Sequence, residues 1–201
     1  MNTHIYKRLV LILGINLMLL CMISCKKNEE TAIPDKVTLL SFGPSGVKPG
    51  DKISFIGYHL DRVTAIELTG AKVEASAFVE KAADHITITV PQETLKGKVT
   101  LKAPEGDIVS KSLLNLDVPV TVTDIPATAT KGSNISIKGT FVNWITRVTF
   151  GNDASVTTFV SKSLTEIVLQ VPNNAKTGTL IFSVDGFEPK DIESDDVVVI
   201  Q

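Results

Sequence analysis

Cysteine is scarce in this sequence, and both copies lie near the amino terminus. The 201 residues include two cysteines, Cys21 and Cys25, and three histidines. The chain after position 25 therefore has no thiol for a disulfide, a cysteine metal site or a cysteine nucleophile. Its two histidines, His59 and His85, match no metal-ligand spacing. We therefore predict a protein that is not an enzyme, with no catalytic residue, no metal site and no cofactor.

A basic charge excess is also absent. Lys and Arg number 20 against 22 for Asp and Glu, and removal of residues 1–25 takes away two bases, which leaves 18 − 22 = −4. Binding to nucleic acid relies on clustered Lys and Arg, so a nucleic-acid partner is not expected. A late acidic stretch from Asp185 to Asp196 fits no known calcium loop. A solvated surface is favoured there over a cation site, although the sequence does not decide between them.

The first 25 residues have the pattern of an export signal. Two basic residues precede a 15-residue apolar run at 9–23, which is short for a membrane span of about 20 residues. The small residue Ser24 precedes Cys25, whereas bulky Leu20 precedes Cys21. The segment resembles a bacterial lipoprotein signal, and this resemblance implies that Cys25 carries palmitate-like acyl chains. An ordinary signal peptide is the alternative.

Residues 26–36 are charged, contain a proline and lack the apolar side chains of a core. We predict a flexible tether that reaches about 35 Å when extended. A charged stretch after a lipidated cysteine resembles the surface-export tags of glycan-harvesting gut bacteria. This resemblance implies lipid anchoring in the bacterial outer membrane, facing the exterior, with the periplasmic face as the alternative.

The rest of the chain has the periodicity of β-strands. Residues 86–90 alternate apolar and polar side chains and stop at Pro91, and residues 53–56 follow a Pro-Gly-Asp turn. Alternate apolar positions continue from Leu114 to Val122, so we expect the last strand of one domain to run almost directly into the first strand of the next. Because no long helical pattern is present, we expect an all-β sandwich architecture.

The strand pattern occurs twice. Residues 50–57 match residues 132–139, and residues 86–91 match residues 167–172. The offset is 82 residues at first and 81 later, which indicates two complete domains in tandem. We place domain 1 at 37–117 and domain 2 at 118–201. The junction has no Gly-rich hinge, so we expect a semi-rigid connection.

Both copies resemble the immunoglobulin-like IPT/TIG domain. The first copy has the motifs at 41–44 and 49–51, and the second closes with the motifs at 165–172 and 175–178. The second copy departs from the pattern at Asp124, which stands where the first has Phe42. The resemblance implies two tandem β-sandwiches, as in surface lipoproteins that serve polysaccharide uptake. Larger relatives of that kind carry a separate C-terminal binding module, whereas this chain ends on a strand at 197–201.

Aromatic residues make up only 5% of the chain. Sugars are often bound by exposed rings, and rings on the loops of a rigid scaffold are suitable contacts. Tyr58 and Trp144 follow equivalent strands, and Phe141 aligns with His59. We predict these four residues as ligand contacts, although a Trp144 ring folded against the sandwich edge or the domain junction is the simpler alternative.

Two functions remain open. The first is a non-enzymatic surface lipoprotein that binds extracellular glycan as an accessory to polysaccharide uptake. The second is a structural or adhesion spacer that contacts another envelope protein, such as an outer-membrane transporter, through an apolar patch or an open strand edge. Under both functions, the chain is attached to the membrane through the lipid anchor at Cys25.

Overall fold

A computed structural model of the chain describes residues 34–201. The predicted signal segment, Cys25 and the tether up to residue 33 lie outside the described residues. From residue 34 onward, helix is limited to three 3-10 turns, Leu60–Arg62, Ala75–Ala77 and Val142–Trp144. None of these is long and apolar enough to cross a membrane.

Eighteen strands make up the ordered framework of residues 34–201. They are β1 (Thr38–Gly43), β2 (Lys52–Tyr58), β3 (Ala65–Leu68), β4 (Ala71–Glu74), β5 (Glu80–Lys81), β6 (His85–Thr89), β7 (Thr100–Ala103), β8 (Gly106–Val109), β9 (Thr121–Asp124), β10 (Thr128–Ala129), β11 (Asn134–Thr140), β12 (Ile145–Gly151), β13 (Ala154–Val156), β14 (Ser161–Lys162), β15 (Glu166–Gln170), β16 (Lys176–Val184), β17 (Lys190–Glu193) and β18 (Val199–Ile200).

The strands form two pairs of antiparallel four-stranded sheets. Strands β1–β8, here called the first half, give the orders β1-β2-β6-β5 and β4-β3-β7-β8. Strands β9–β18, the second half, give β14-β15-β11-β9 and β13-β12-β16-β17, with β10 and β18 as a short parallel pair. The all-β, tandem immunoglobulin-like sandwich architecture predicted from the sequence is confirmed.

Side chains alternate between buried and exposed along the strands, which places the hydrophobic core between the sheets. In β2, Ile53 and Phe55 are fully buried, whereas Lys52 and Ile56 on either side of them are exposed and Ser54 between them is half-buried. Strand β11 repeats this pattern, and Ile137 is fully buried. Burial of each such side chain contributes about 1.5–3 kcal/mol. A single cluster of buried residues runs through both halves.

The junction run buries the side chains that its pattern predicts, but residues 114–120 do not form a strand. Leu114, Leu116, Val118 and Val120 are all buried, as the alternation predicts. However, residues 114–120 make only an isolated bridge, at Leu114, and β9 begins at Thr121, within the run. The backbone groups of residues 114–120 bond to loops rather than to a neighbouring strand, so no ladder forms.

Gly57 and Gly139 occupy equivalent positions in the two halves. The structure shows why neither position carries a side chain. A Cβ at Gly57 would collide with the carbonyl oxygen of Thr38, and one at Gly139 with that of Thr121. Both glycines lie beside register shifts in their strand pairs, where two backbones approach closely.

Candidate functional site

Trp144 does not present its ring to solvent. The residue is 3% exposed and ends the 3-10 turn that follows Phe141. Its carbonyl accepts a hydrogen bond from Asp185 N at 3.3 Å. Its indole Nε1 has no acceptor among the described residues. A ring buried to this extent offers little surface for a sugar to stack on, as expected if it folds back against the protein.

His59 and Phe141 occupy equivalent backbone positions. Both precede a 3-10 turn with left-handed backbone, φ 55° and 54°, and both are half-buried. The ring of His59 is engaged, because its Nε2 lies 2.9 Å from the carbonyl oxygen of Pro34. The end of the predicted tether is thus held against the first half.

Tyr58 is half-buried, as His59 and Phe141 are. It lies at the end of β2, opposite Thr38, and alternation points it away from the core. Tyr58 and His59 lie where the chain enters the first half. Phe141 and Trp144 lie at the corresponding end of the second half, beside Asp185. The four predicted residues therefore form two separate pairs, not one site.

Two exposed apolar side chains lie near Tyr58. Ile56 is 44% exposed on the same face of β2, and Leu40 is 58% exposed at the bulge of β1 beside it. In the second half, Lys138 is equivalent to Ile56 and Thr140 to Tyr58, and both are polar and exposed. The fold therefore does not require apolar residues on this face. We call Leu40, Ile56 and Tyr58 the β2 face.

The two halves meet at the loop between β16 and β17. Lys96 Nζ lies 3.0 and 3.1 Å from the two carboxylate oxygens of Asp185. Asn115 Nδ2 donates to Gly186 O at 2.8 Å, and Phe187 N donates to the carbonyl of Leu116 at 2.8 Å. Three side-chain and backbone contacts therefore join this loop to the first half.

A groove of about 590 Å³ lies on the second half. It is bounded by the segment after β13, the end of β15 and Gly132, and none of its lining residues is ionisable. Beside it, Lys162 Nζ lies 4.6 Å above the ring of Phe159 and donates to the carbonyl of Ile145 at 2.6 Å. Desolvation of this amino group lowers the pKa of Lys162.

The other shifted groups belong to exposed ion pairs. The hydrogen bond from Arg62 at 2.8 Å lowers the pKa of Glu105. A hydrogen bond with His85 lowers the pKa of Asp84 in the same way. Across residues 34–201, no group of three or more His, Cys, Asp or Glu residues is arranged to hold a metal ion. These ion pairs are those of a solvated surface rather than of an acid–base site.

The architecture and this surface define a tandem immunoglobulin-like sandwich protein. No protein-family model and no curated protein sequence matches the chain. Among solved structures, it is similar to the surface glycan-binding protein PbSGBP-B from Prevotella bryantii, with a TM-score of 0.53 and 13% identity over 81% of this chain and 42% of that one.

Two further solved structures are similar at lower TM-score. One is SGBP-B of the Bacteroides ovatus mixed-linkage glucan utilisation locus, bound to a mixed-linkage heptasaccharide, with 23% identity over 77% of this chain and 42% of that one, TM-score 0.37. The other is SGBP-B from a Bacteroides uniformis complex xyloglucan utilisation locus, with 16% identity over 79% and 48%, TM-score 0.34. The chain spans less than half the length of each of these proteins. The likeness to PbSGBP-B is one of fold.

Sequence reasoning missed Phe187. The repeat offset is 81 residues at Gly97 and Gly178, which make equivalent bridges. It is 194 − 110 = 84 at Ser110 and Ser194, whose hydroxyls accept equivalent backbone hydrogen bonds from Val99 and Leu180. Three extra residues therefore lie between these points in the second half. Alignment of the two copies beyond Gly178 would have revealed the longer loop that carries Phe187.

Proposed function

We propose that this chain is a non-enzymatic lipoprotein of the bacterial outer membrane that binds extracellular glycan as an accessory to polysaccharide uptake. The observation that carries the proposal is the tandem fold shared with PbSGBP-B, a surface glycan-binding protein, over 81% of this chain. The lipoprotein-like signal ending at Cys25 and the charged residues after it support an exterior location. In this proposal the two IPT/TIG-like domains span 37–117 and 118–201.

Tyr58 is the proposed ring contact among the four residues predicted from the sequence. Its outward position on β2, beside the exposed side chain of Ile56, suits a sugar ring, which stacks its apolar face on an aromatic side chain. His59 and Phe141 border the two equivalent turns. The burial of Trp144 argues that it supports its turn and does not contact ligand.

A panel of polysaccharides in affinity gels tests this proposal. Purified residues 26–201 should migrate more slowly in gels that contain a recognised glycan. Tyr58→Ala should reduce this retardation, because it removes the stacking surface. Thr140→Ala, at the equivalent position of the second half, is the matched control and should migrate as the unaltered chain does. Unretarded migration of the unaltered chain on every polysaccharide would argue against glycan binding.

The second candidate function is a spacer or adhesion module that contacts another envelope protein. It is favoured by the apolar β2 face, which has no counterpart in the second half. An outer-membrane transporter or another surface protein is the proposed partner. Ile56→Lys introduces the residue type that the second half carries as Lys138. It should abolish cross-linking of the chain to such a protein on intact cells.

A further inference from the structure

The loop between β16 and β17 is longer than its counterpart in the first half. Val184 pairs with Lys190, which leaves five loop residues, 185–189. Ala103 pairs with Gly106 in the first half, which leaves two, 104–105. The three additional residues are not needed to close the hairpin, since the shorter loop closes the same strand pair.

The longer loop holds Phe187 in a defined position. Its backbone N–H donates to Leu116 O at 2.8 Å, and the preceding Gly186 accepts from the Asn115 side chain at 2.8 Å. The ring lies against Gly46, where an added Cβ would be 3.1 Å from Phe187 Cδ1. Gly46 has φ +70°, which disfavours a side chain at this position. Position 46 therefore has no side chain beneath the ring.

The ring is nonetheless half open to solvent. Phe187 is 49% exposed, and it is the one phenylalanine among residues 34–201 that is exposed rather than buried or half-buried. An aromatic ring that only sealed the junction would gain stability by burying both faces. The backbone that carries this ring is held by hydrogen bonds, and one side of the ring is open. The ring therefore loses little freedom when a ligand stacks on it.

Two ion pairs lie near the ring. Lys48 lies 3.8 Å from Asp117, and these two residues flank Gly46 and Leu116 in the chain. Lys96 pairs with Asp185 in the loop itself. Glu188 beside the ring and Lys190 at the start of β17 form no ion pair among residues 34–201, but their charges are opposite. The surface therefore offers no excess positive charge to a sulfated, phosphorylated or uronic-acid ligand. It suits an uncharged ligand with an apolar face and polar edges.

We propose that Phe187 is a stacking platform for a pyranose ring of a neutral polysaccharide, placed at the junction of the two halves. This site rests on the proposed function and names for it a position that the sequence analysis did not identify. The sugar stacks on the open face of the ring, and its hydroxyl groups reach the paired charges of Lys48 and Asp117. The fixed junction keeps the platform in place.

The experiment measures binding of soluble neutral polysaccharides to residues 26–201 by isothermal titration and affinity gels. Residues 34–201 form one compact unit, so this chain keeps the fold. Phe187→Ala should weaken binding about tenfold or more. Phe187→Tyr keeps the ring and should bind within about twofold of the unaltered chain. Val109→Ala removes another exposed apolar side chain and should change nothing.

Each result decides the proposal. Equal binding by the unaltered chain and Phe187→Ala overturns the platform and leaves glycan binding intact. Absence of binding to every polysaccharide overturns the proposed function and the platform with it. Lys96→Ala weakens the junction but keeps the ring. If Lys96→Ala loses as much affinity as Phe187→Ala, and Phe187→Tyr binds as weakly as Phe187→Ala, the ring has a structural role only. Loss restricted to Phe187→Ala supports the platform.

Discussion

Trp144→Ala should destabilise the second half rather than remove a ligand contact. The side chain is 3% exposed, within the cluster that includes Ile145 and Val142, both fully buried. Truncation of a buried tryptophan to alanine typically lowers the free energy of unfolding by about 3–5 kcal/mol, because it removes contacts and leaves a cavity. This is a large share of the roughly 5–15 kcal/mol that stabilises a typical domain.

Two further variants show whether the ring acts through packing. Trp144→Phe keeps most of the apolar volume and removes the Nε1 donor, which has no acceptor within residues 34–201. Loss of a buried unpaired donor is worth about 1–3 kcal/mol, so this variant should stay within about 2 kcal/mol of the unaltered chain. Arg62 holds the equivalent position in the first half and forms an exposed ion pair with Glu105. Arg62→Ala should change stability by no more than about 1 kcal/mol.

Urea unfolding followed by far-ultraviolet circular dichroism measures all three variants with one signal. The only tryptophan of the chain is the residue being changed, so intrinsic fluorescence cannot be compared between them. The reasoning fails if Trp144→Ala unfolds within about 1 kcal/mol of the unaltered chain. It also fails if Trp144→Ala and Arg62→Ala are equally stable, since the burial of Trp144 would then contribute nothing.

Three other predictions concern stability, acid response and anchoring. Gly139→Ala should lower the free energy of unfolding by about 1–3 kcal/mol in urea titrations, because its Cβ would collide with the carbonyl of Thr121. The depressed pKa of Glu105 means that its ion pair stabilises the fold above the unfolded-state pKa of about 4.3 and loses that effect as pH falls through the lower folded-state pKa. The urea midpoint of Arg62→Ala should therefore fall less between neutral and acid pH than that of the unaltered chain. Cys25→Ala should abolish incorporation of a palmitate analogue and release the chain from membranes, and continued labelling would contradict lipidation at that residue.

The sequence was sufficient to predict the fold because the core positions repeat. The alternation at residues 53–56 and 86–90 corresponds to β2 and β6, and its buried positions are those the pattern assigns to the interior. Pro91 follows the end of β6, as a residue that cannot donate to the ladder should. The alternation at residues 114–120 does not correspond to a strand, because periodicity reports which side chains are buried and not which backbone groups pair.

The candidate site could not be read in the same way. Trp144 is a large amphipathic residue next to a turn, and such a residue has the same local sequence whether its ring points outward or inward. Its burial depends on the packing of β12 and of the Asp185 loop, which lie far apart in sequence. His59 was similarly ambiguous, because its partner is the backbone of Pro34, a group that every residue carries.

The differences between the two halves, more than their likeness, indicate where function lies. A repeated sandwich needs the same buried residues in each copy, and these are supplied by positions such as Phe55 and Ile137. It has no need for Ile56 where its counterpart carries Lys138, or for a five-residue loop where two residues suffice. Since the second copy shows that the fold tolerates a polar β2 face, and the first that it tolerates a short hairpin, each departure calls for an explanation outside folding. The exposed ring of Phe187 lies on one of these departures, and Tyr58 on the other.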